Sequence, residues 1–430
     1  MSGNKPRVSF KTLGCRLNQA ETATIAAQFE ASGYEIVPFG TQCEVALIHG
    51  CTITRNAETE SVRLAGSAKK GKGSPFVILA GCAAMLHSHK SGVQQCDSIL
   101  SGSADLLAPQ DTKFSLPHLL HSRFSIGSDT HIPPAQLIPR FTTARARVKV
   151  QDGCDIKCAY CIVPATRGSA VSRPFREIVD EIAALGGAGF KEVILTGANL
   201  GCYEDGSRRL VHLLEAVHGI EAIARIRLSS LEPGTDEHAV IDFMAQAPKV
   251  CRHLHIPLQT GHDAMLSQMG RPYTTAEFRA VIEHAVTKMG VIGLGTDIIG
   301  GLPGEDNKAF EATYRMIEEL PFSNLHVFPY SKRPGTRASL MAGQVPESIK
   351  KERVQRLITL GSVKKKSFVD SCIGRTVTVL IEQATGPDHG TGWTQEYVRA
   401  CVKSPKATRN QIVAGIATGV ENGLLQVETT

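Results

Sequence analysis

The residues from Gln151 to Arg167 read Gln-Asp-Gly-Cys-Asp-Ile-Lys-Cys-Ala-Tyr-Cys-Ile-Val-Pro-Ala-Thr-Arg and set Cys154, Cys158 and Cys161 in a C-x3-C-x2-C array. Three thiolates fall short of a structural tetrahedral zinc site, which takes four protein ligands. They suit an iron–sulfur cluster held at three irons, the fourth iron staying open to a substrate or cofactor. A zinc knuckle that borrows a distant fourth ligand is the competing reading. Three more cysteines end strand-like runs, at Leu13-Gly14-Cys15, Gly50-Cys51 and Gly81-Cys82. Three thiols at one sheet edge point to a second cluster site. Cys43, Cys96, Cys202, Cys251, Cys372 and Cys401 have no ligand spacing and read as small buried hydrophobes, although Cys202 lies near an expected active-site loop.

The elements that must position these residues follow from periodicity. Residues 7–12 alternate as a strand, and Ile25, Ala26 and Phe29 recur at helical spacing between Asn18 and Ala31. Val45–Ile48 and Phe76–Leu79 read as buried strands, with a helix expected from Arg55 to Lys70. Strands alternating with helices imply a parallel sheet, whose ligands sit at the carboxyl ends of the strands. Cys15, Cys51 and Cys82 occupy those ends. Between Gln110 and Arg140 the pattern breaks, with Pro117, Pro133, Pro134 and Pro139 among polar residues, as in a linker.

A second β/α series follows. Strands are expected at 148–151, 192–195, 225–228, 251–255, 292–299 and 324–328, too few for a closed eight-stranded barrel and so a partial one. A polar or glycine-rich motif follows each strand: the cysteine loop, Thr196-Gly197-Ala198-Asn199, Ser229-Ser230-Leu231-Glu232, Pro257-Leu258-Gln259, Gly300-Gly301-Leu302-Pro303-Gly304-Glu305, and Pro329-Tyr330-Ser331. Thr196, Asn199, Ser229, Glu232 and Gln259 offer hydrogen bonds to a ribose, a base edge or a carboxylate, and Gly301 lets backbone approach a ligand. Pro346 to Phe368 reads as a helix with a basic run from Lys350 to Lys366, a solvated face or a track along phosphate. The last stretch is β-rich (376–382, 397–402, 411–417 and 424–427) and suits a small β-barrel; Trp393 and Tyr397 in it are candidates to stack bases.

The bulk numbers agree. A chain of 430 residues suggests two or three domains, and no apolar run reaches the ~18 residues of a membrane span. The N-terminus lacks the apolar core of a signal peptide. Twelve cysteines in so long a chain do not resemble a disulfide-stapled secreted scaffold, which points to reducing cytoplasm. A net charge of +6 is compatible with a nucleic-acid partner.

Together these motifs resemble the methylthiotransferases, a radical S-adenosylmethionine (SAM) family, over nearly the whole chain. The resemblance implies a mixed α/β fold in four stretches: 1–115, a doubly wound parallel α/β domain with an auxiliary cluster; 116–139, a linker; 140–369, a partial (β/α)6 radical SAM barrel; and 370–430, a small antiparallel β-barrel of TRAM type. It implies two [4Fe–4S] clusters, the auxiliary one on Cys15, Cys51 and Cys82 and the SAM-binding one on Cys154, Cys158 and Cys161. SAM would serve as both radical source and methyl donor. Within the family, Thr12–Glu21 and Gly197–Gly201 look most like the branch that adds a methylthio group at C2 of N6-threonylcarbamoyladenosine in tRNA, next to the anticodon. That branch often has Lys-Val after its first cysteine, where this chain has Arg16-Leu17. The expected partners are tRNA, an external electron donor and a sulfur donor; the expected enzyme is a cytoplasmic monomer, and no catalytic side chain is assigned beyond the cluster ligands. Arg16 and Arg333 are the candidates to read the threonylcarbamoyl carboxylate. The alternatives are siblings acting on isopentenyladenosine in tRNA or on a ribosomal-protein aspartate, and, in another class, a non-catalytic zinc-dependent RNA-binding protein.

Overall fold

The protein is described from a computed structural model covering residues 5–88, 102–124 and 137–429. Cys96 and residues 125–136 of the expected linker lie outside them. The chain divides into two compact units: Met1–Phe141 with Asp152–Ala170 and Ser331–Ser339, and Thr142–Gln151 with Val171–Tyr330 and Leu340–Thr430. The loop carrying Cys154, Cys158 and Cys161 therefore packs within the first unit, although the sequence reading assigned it to the barrel.

In the first unit, β1 (Arg7–Thr12), β2 (Glu35–Val37), β3 (Val45–Gly50), β4 (Phe76–Gly81) and β5 (Leu106–Ala108) form one sheet in the order β2-β1-β3-β4-β5. Every pair is parallel. Successive side chains of a strand point to opposite faces, and here the two sets enter two cores. Val45, Leu47, Ile78 and Ala80 meet Ile25 and Phe29 of α1 (Arg16–Ala31) and Leu116 and Leu120 of helix Leu116–Phe124. Ala46, Ile48, Val77 and Leu79 meet Ala65 of α2 (Arg55–Lys69). Each fully buried Ile or Phe contributes about 1.5–3 kcal/mol through loss of apolar surface to water, so both faces demand cover. The expected linker begins as structure: 116–124 is a helix, and its Leu116 and Leu120 complete the first core. Its prolines and polar residues hid that short apolar stripe. β2 and β5, three residues each, were too short to read as strands.

In the second unit six parallel strands form the expected partial barrel. Arg145–Lys149, Glu192–Thr196 and Arg225–Leu228 make one sheet; His253–His255, Gly293–Gly300 and Asn324–Pro329 make another. Bridges at Ile226–Val250 and Ser230–His255 join them. Helices such as Thr275–Met289, opened by a Thr274–Glu277 capping box, connect the strands. Helix Glu347–Asp370 carries the basic run, but Arg353 is buried, bonding Glu305 Oε1 at 2.8 Å and Asn307 Oδ1 at 2.8 Å. That part of the run is structural.

The C-terminal residues close a five-stranded barrel in the order Thr376–Ala384, His389–Thr394, Arg399–Lys403, Leu424–Glu428, Ile412–Glu421. The pair Arg399–Lys403 with Leu424–Glu428 is parallel, a departure from the all-antiparallel expectation. Strand His389–Thr394 was not expected, because Gly390 and Gly392 read as turn residues. Both sit where neighbouring chain leaves no room: a Cβ at Gly392 would lie 1.9 Å from the Leu380 carbonyl oxygen, and one at Gly390 2.6 Å from that of Ala407. No helix among the described residues is long and apolar enough to cross a membrane.

Candidate active site

The cysteines at the strand ends come first. The chain leaves β1 toward one face and β3 toward the other, and such a switch point opens a crevice at the carboxyl edge of a parallel sheet. Cys15 and Cys51 lie just past those strands, and Cys82 just past β4. The residue before each is glycine for a steric reason. A Cβ on Gly14 (φ +98°) would stand 2.6 Å from Cys51 Cβ; on Gly50, 2.5 Å from Ala83 Cβ; on Gly81 (φ +79°), 2.4 Å from the His49 ring. Cys15 is exposed, whereas Cys51 and Cys82 are buried. Burial pushes the Cys51 thiol up to about 11 and raises that of Cys82, and proximity to the Cys15 thiol adds to both. Thiols in that state bind metal by giving up protons. Nearby positive charge favours that release.

Arg167 supplies it. This guanidinium, six residues beyond Cys161, is almost fully buried and lowers the thiols of both Cys51 and Cys82. Its Nη2 donates to Asn18 Oδ1 at 2.6 Å and to Glu21 Oε2 at 3.2 Å; its Nη1 donates to Asp152 Oδ1 at 2.7 Å. Asn18 Oδ1 also faces the Cys15 thiol at 3.7 Å. Glu21, wholly buried, is matched again by Lys113 Nζ at 2.7 Å, and Gln110 Nε2 donates to Cys82 Sγ at 3.5 Å. A buried carboxylate persists when it is paired and hydrogen-bonded. Asn18, Glu21, Gln110, Lys113 and Arg167 escaped the sequence reading because nothing in their spacing marks charges destined for a core.

Cys154, Cys158 and Cys161 are each half-buried. Their loop is pinned by Cys154 N–H to the Gly168 carbonyl at 3.2 Å and Cys161 N–H to that of Cys158 at 3.2 Å. Gly153 (φ +66°) admits no side chain, since a Cβ would meet the Ser169 carbonyl oxygen at 1.9 Å. Val163 N–H donates to Cys161 Sγ at 3.4 Å, a bond of the kind that stabilises a ligating thiolate. Among the described residues, His255, Asp297 and His326 bring their ligating atoms within 4.8 Å of one another.

At the carboxyl ends of the barrel strands the expected cofactor residues divide. Asn199 and Ser229 are buried, and Asn199 Oδ1 and Ser229 Oγ have no hydrogen-bond partner among the described residues. Asn199 is held by its N–H on Gln151 Oε1 at 2.8 Å and by Nδ2 on Cys202 Sγ at 3.0 Å. Orphaned oxygens in a fixed frame are what a polar cofactor would satisfy. Thr196 is buried at the end of its strand. Gln259 has φ +68°, strained for a residue with a side chain, and Gly301 has φ +80° with its N–H on Glu305 Oε1 at 3.0 Å. Burial raises the Glu305 carboxyl. Glu232 is ion-paired with Arg271, so its charge is already matched.

Three expected substrate contacts are engaged by other groups of the protein. Trp393 and Tyr397 stack on each other, centroids 4.4 Å apart at 18°, with the Arg145 guanidinium over both rings at 5.1 and 5.6 Å and Arg227 over Tyr397 at 4.8 Å. Trp393 Nε1 donates to Glu382 Oε2 at 2.9 Å. Arg145, Glu192, Arg225 and His253 each begin a barrel strand, so this pair lies at the end opposite the cofactor residues. Arg333 is buried and bonds Glu58, whose carboxyl burial alone would raise but His87 and Arg333 hold below its ordinary value. Its charge is not free. It does line a cavity of about 610 Å³ with Arg55, Arg63 and Lys332, Glu58 being the one carboxylate among the lining residues. Arg16 stays half-buried at the start of α1, beside Cys15.

Comparison with known proteins accords with this geometry. Residues 148–317 match the radical SAM superfamily, and residues 7–100 match a family described as uncharacterized protein family UPF0004. The threonylcarbamoyladenosine tRNA methylthiotransferase of Aquifex aeolicus is 31% identical over 87% of this chain and 92% of its own. That of Bacillus subtilis is 31% identical over 94% and 92%. A tRNA-2-methylthio-N(6)-dimethylallyladenosine synthase of Akkermansia muciniphila is 32% identical over 83% of each chain. Among solved structures, the radical SAM methyltransferase TsrM of Kitasatospora setae superposes with a TM-score of 0.56 at 13% identity, covering 78% of this chain and 77% of that one.

Proposed function

The chain belongs to the radical SAM methylthiotransferase family, and from that premise we propose that it adds a methylthio group at C2 of N6-threonylcarbamoyladenosine in tRNA, at the nucleotide next to the anticodon. An iron–sulfur cluster and SAM are the family's cofactors; two [4Fe–4S] clusters per chain are our reading. When bound, they supply the homolytic chemistry that an aromatic C–H bond requires and side-chain acids and bases do not.

The observation that carries the reading is the pairing of two cysteine trios with one buried guanidinium. Cys154, Cys158 and Cys161 would hold the SAM-binding cluster, and Cys15, Cys51 and Cys82 the auxiliary one. Arg167, anchored on Asn18 and Glu21, ties the first loop to the helix that follows Cys15. Asn199 and Ser229 would bond SAM through their orphaned oxygens, with Thr196, Gln259 and the open backbone at Gly301 completing that wall. In the cavity lined by Arg55, Arg63, Lys332 and Arg333, Glu58 pairs with Arg333 and Glu60 with Arg63, and Arg55 and Lys332 would meet an anionic substituent. That supports the carboxylated nucleoside over the dimethylallyl one, whose substituent has no charge to meet it; identity to the two kinds of relative does not separate them. Arg16 would contribute from beside the auxiliary site. We read the enzyme as cytoplasmic, where tRNA and an external reductant meet it.

Nucleoside mass spectrometry of tRNA from a deletion strain tests the reading. Loss of the methylthiolated threonylcarbamoyladenosine, with the dimethylallyl product retained, is the expected result; the reverse pattern reassigns the branch. Anaerobic reconstitution to about eight irons per chain is expected of two clusters. Stoichiometric zinc with no 5′-deoxyadenosine from SAM would return the chain to the RNA-binding class.

A further inference from the structure

Three strands in the second half of the barrel bring together His255, Asp297 and His326, which no sequence motif singled out. His255 Nε2 lies 2.8 Å from Asp297 Oδ1, and His326 Nδ1 lies 3.2 Å from the same oxygen. The register explains the meeting: Asp297 pairs with His326, and His255 pairs with Gly295, where a Cβ would stand 2.6 Å from the His255 ring. A carboxylate oxygen only accepts, so both nitrogens facing it carry protons. Burial alone would raise the Asp297 carboxyl, but the two imidazoles hold it well below its ordinary range. With Nδ1 fixed as a donor, His326 presents Nε2 outward, and Nε2 makes no hydrogen bond among the described residues. The His326 side chain is 50% exposed, against 8% for His255.

The surroundings suit a flat ligand. The His255 and His326 rings lie 4.8 Å apart at 30°. Phe328, on the same side of the strand two residues along, is exposed, its ring 6.5 Å from that of His326. Leu325 on the opposite side packs toward Gly361 of helix Glu347–Asp370. Below the cluster the Asp297 strand is covered, since a Cβ at Gly293 would meet the Glu396 carbonyl oxygen at 2.0 Å. Above it, the strained Gln259 donates its N–H to the Asp297 carbonyl at 2.8 Å and accepts from Ile299 at 2.9 Å, joining the cofactor wall to this one.

We propose that this wall is the subsite for the target purine, His326 Nε2 bonding the ring edge and Phe328 meeting the ring face, with Asp297 and His255 as positioning residues. The assignment rests on the substrate being a tRNA adenosine. Its class is a planar heterocycle with hydrogen-bonding ring nitrogens, a ligand that aromatic faces and a single fixed polar atom recognise.

The test uses the holoenzyme, SAM, reductant and an anticodon stem-loop RNA carrying N6-threonylcarbamoyladenosine, with methylthiolated nucleoside and 5′-deoxyadenosine counted in the same reaction. His326→Ala is expected to lower product per 5′-deoxyadenosine at least about tenfold, as misplacement of a reacting group does. SAM cleavage without RNA, and iron content, should stay at wild-type values. His326→Gln, whose amide reaches the Nε2 position, should recover most of the ratio; His326→Asn, which reaches only Nδ1, should not. A wild-type ratio in His326→Ala overturns the subsite, as does rescue by Asn equal to that by Gln, which would leave His326 a mere prop for Asp297. Loss of RNA-free SAM cleavage assigns the wall to SAM instead. A stoichiometric divalent ion that leaves with Asp297→Asn makes it a metal site, and overturns the proposal too. If the wild-type enzyme fails on this RNA but turns over one carrying dimethylallyladenosine, the substrate reading falls and the same ratios are read on that RNA; failure on both overturns reading and subsite together.

Discussion

At the scale of single residues, the chemistry of this chain depends on what stands beside each thiol. Gly14, Gly50 and Gly81 let three strand ends approach closely enough for Cys15, Cys51 and Cys82 to share a crevice. Gly14→Ala forces a side chain into left-handed backbone and against Cys51, a cost of about 1–3 kcal/mol. The expected outcome is iron falling to roughly half the reconstituted amount, with the Cys154/Cys158/Cys161 site still filled; iron analysis with electron paramagnetic resonance checks it. Arg167 and Glu21 form the second residue-scale device. Removing one member of a buried pair strands the other, at about 3–5 kcal/mol. Glu21→Ala should lower stability by that order in denaturant melts, leaving Arg167 and Lys113 without their shared carboxylate. Arg167→Met should also make the auxiliary cluster harder to reduce, since a nearby cation favours added negative charge; a midpoint potential that does not move would exclude that influence. The cysteines and glycines were legible in the sequence because their spacing is the chemistry. Glu21, Lys113 and Arg167 were not, because a charged residue on a helix reads as surface until its partners are known.

Elements decide how the barrel is finished. Its strands begin in polar residues, an arrangement that is costly unless something covers and pairs them. The C-terminal barrel does both: Arg225 and Arg227 donate to the carbonyls of Thr378, Trp393, Thr394 and Gln395, while Glu192, wholly buried, accepts from Arg227 at 2.8 Å. Burial alone would raise the Glu192 carboxyl, but Arg227, Arg145 and Arg225 hold it below its ordinary value. A carboxyl depressed on folding contributes stability above its unfolded pKa, about 4.3, and that contribution is lost as pH falls through the folded value. Glu192→Gln should therefore melt well below the wild type near neutrality, and the gap should close as pH drops below about 4. Melting curves across pH 3–7 check it, and a gap constant with pH would mean that the carboxylate charge is not what matters. At this scale Trp393 and Tyr397, expected to stack bases, stack on each other beneath Arg145. An aromatic pair on a small barrel is the same sequence signal whether it faces RNA or a neighbouring element, and only packing tells them apart.

For the molecule as a whole, selectivity should lie in the basic cavity of the first unit. Arg55→Gln with Lys332→Gln should weaken turnover of the carboxylated adenosine about tenfold or more, roughly the worth of a charge-assisted contact or two, and leave an uncharged substituent unaffected; competition between the two modified stem-loops measures it. Equal losses on both would make the cavity a general phosphate contact. The sequence by itself determined the two cysteine trios proposed here as cluster ligands, the parallel sheet behind one of them, the six-stranded partial barrel and the family, because ligand spacing and hydrophobic period are local properties of a chain. The tertiary structure decided the rest. It packed the Cys154–Cys161 loop with the N-terminal sheet, turned Arg333 inward onto Glu58, gave 116–124 a core to complete, and brought His255, Asp297 and His326 to one oxygen. Those outcomes depend on which strand lies beside which, and a pairing between residues far apart in the chain leaves no period in the sequence to announce it.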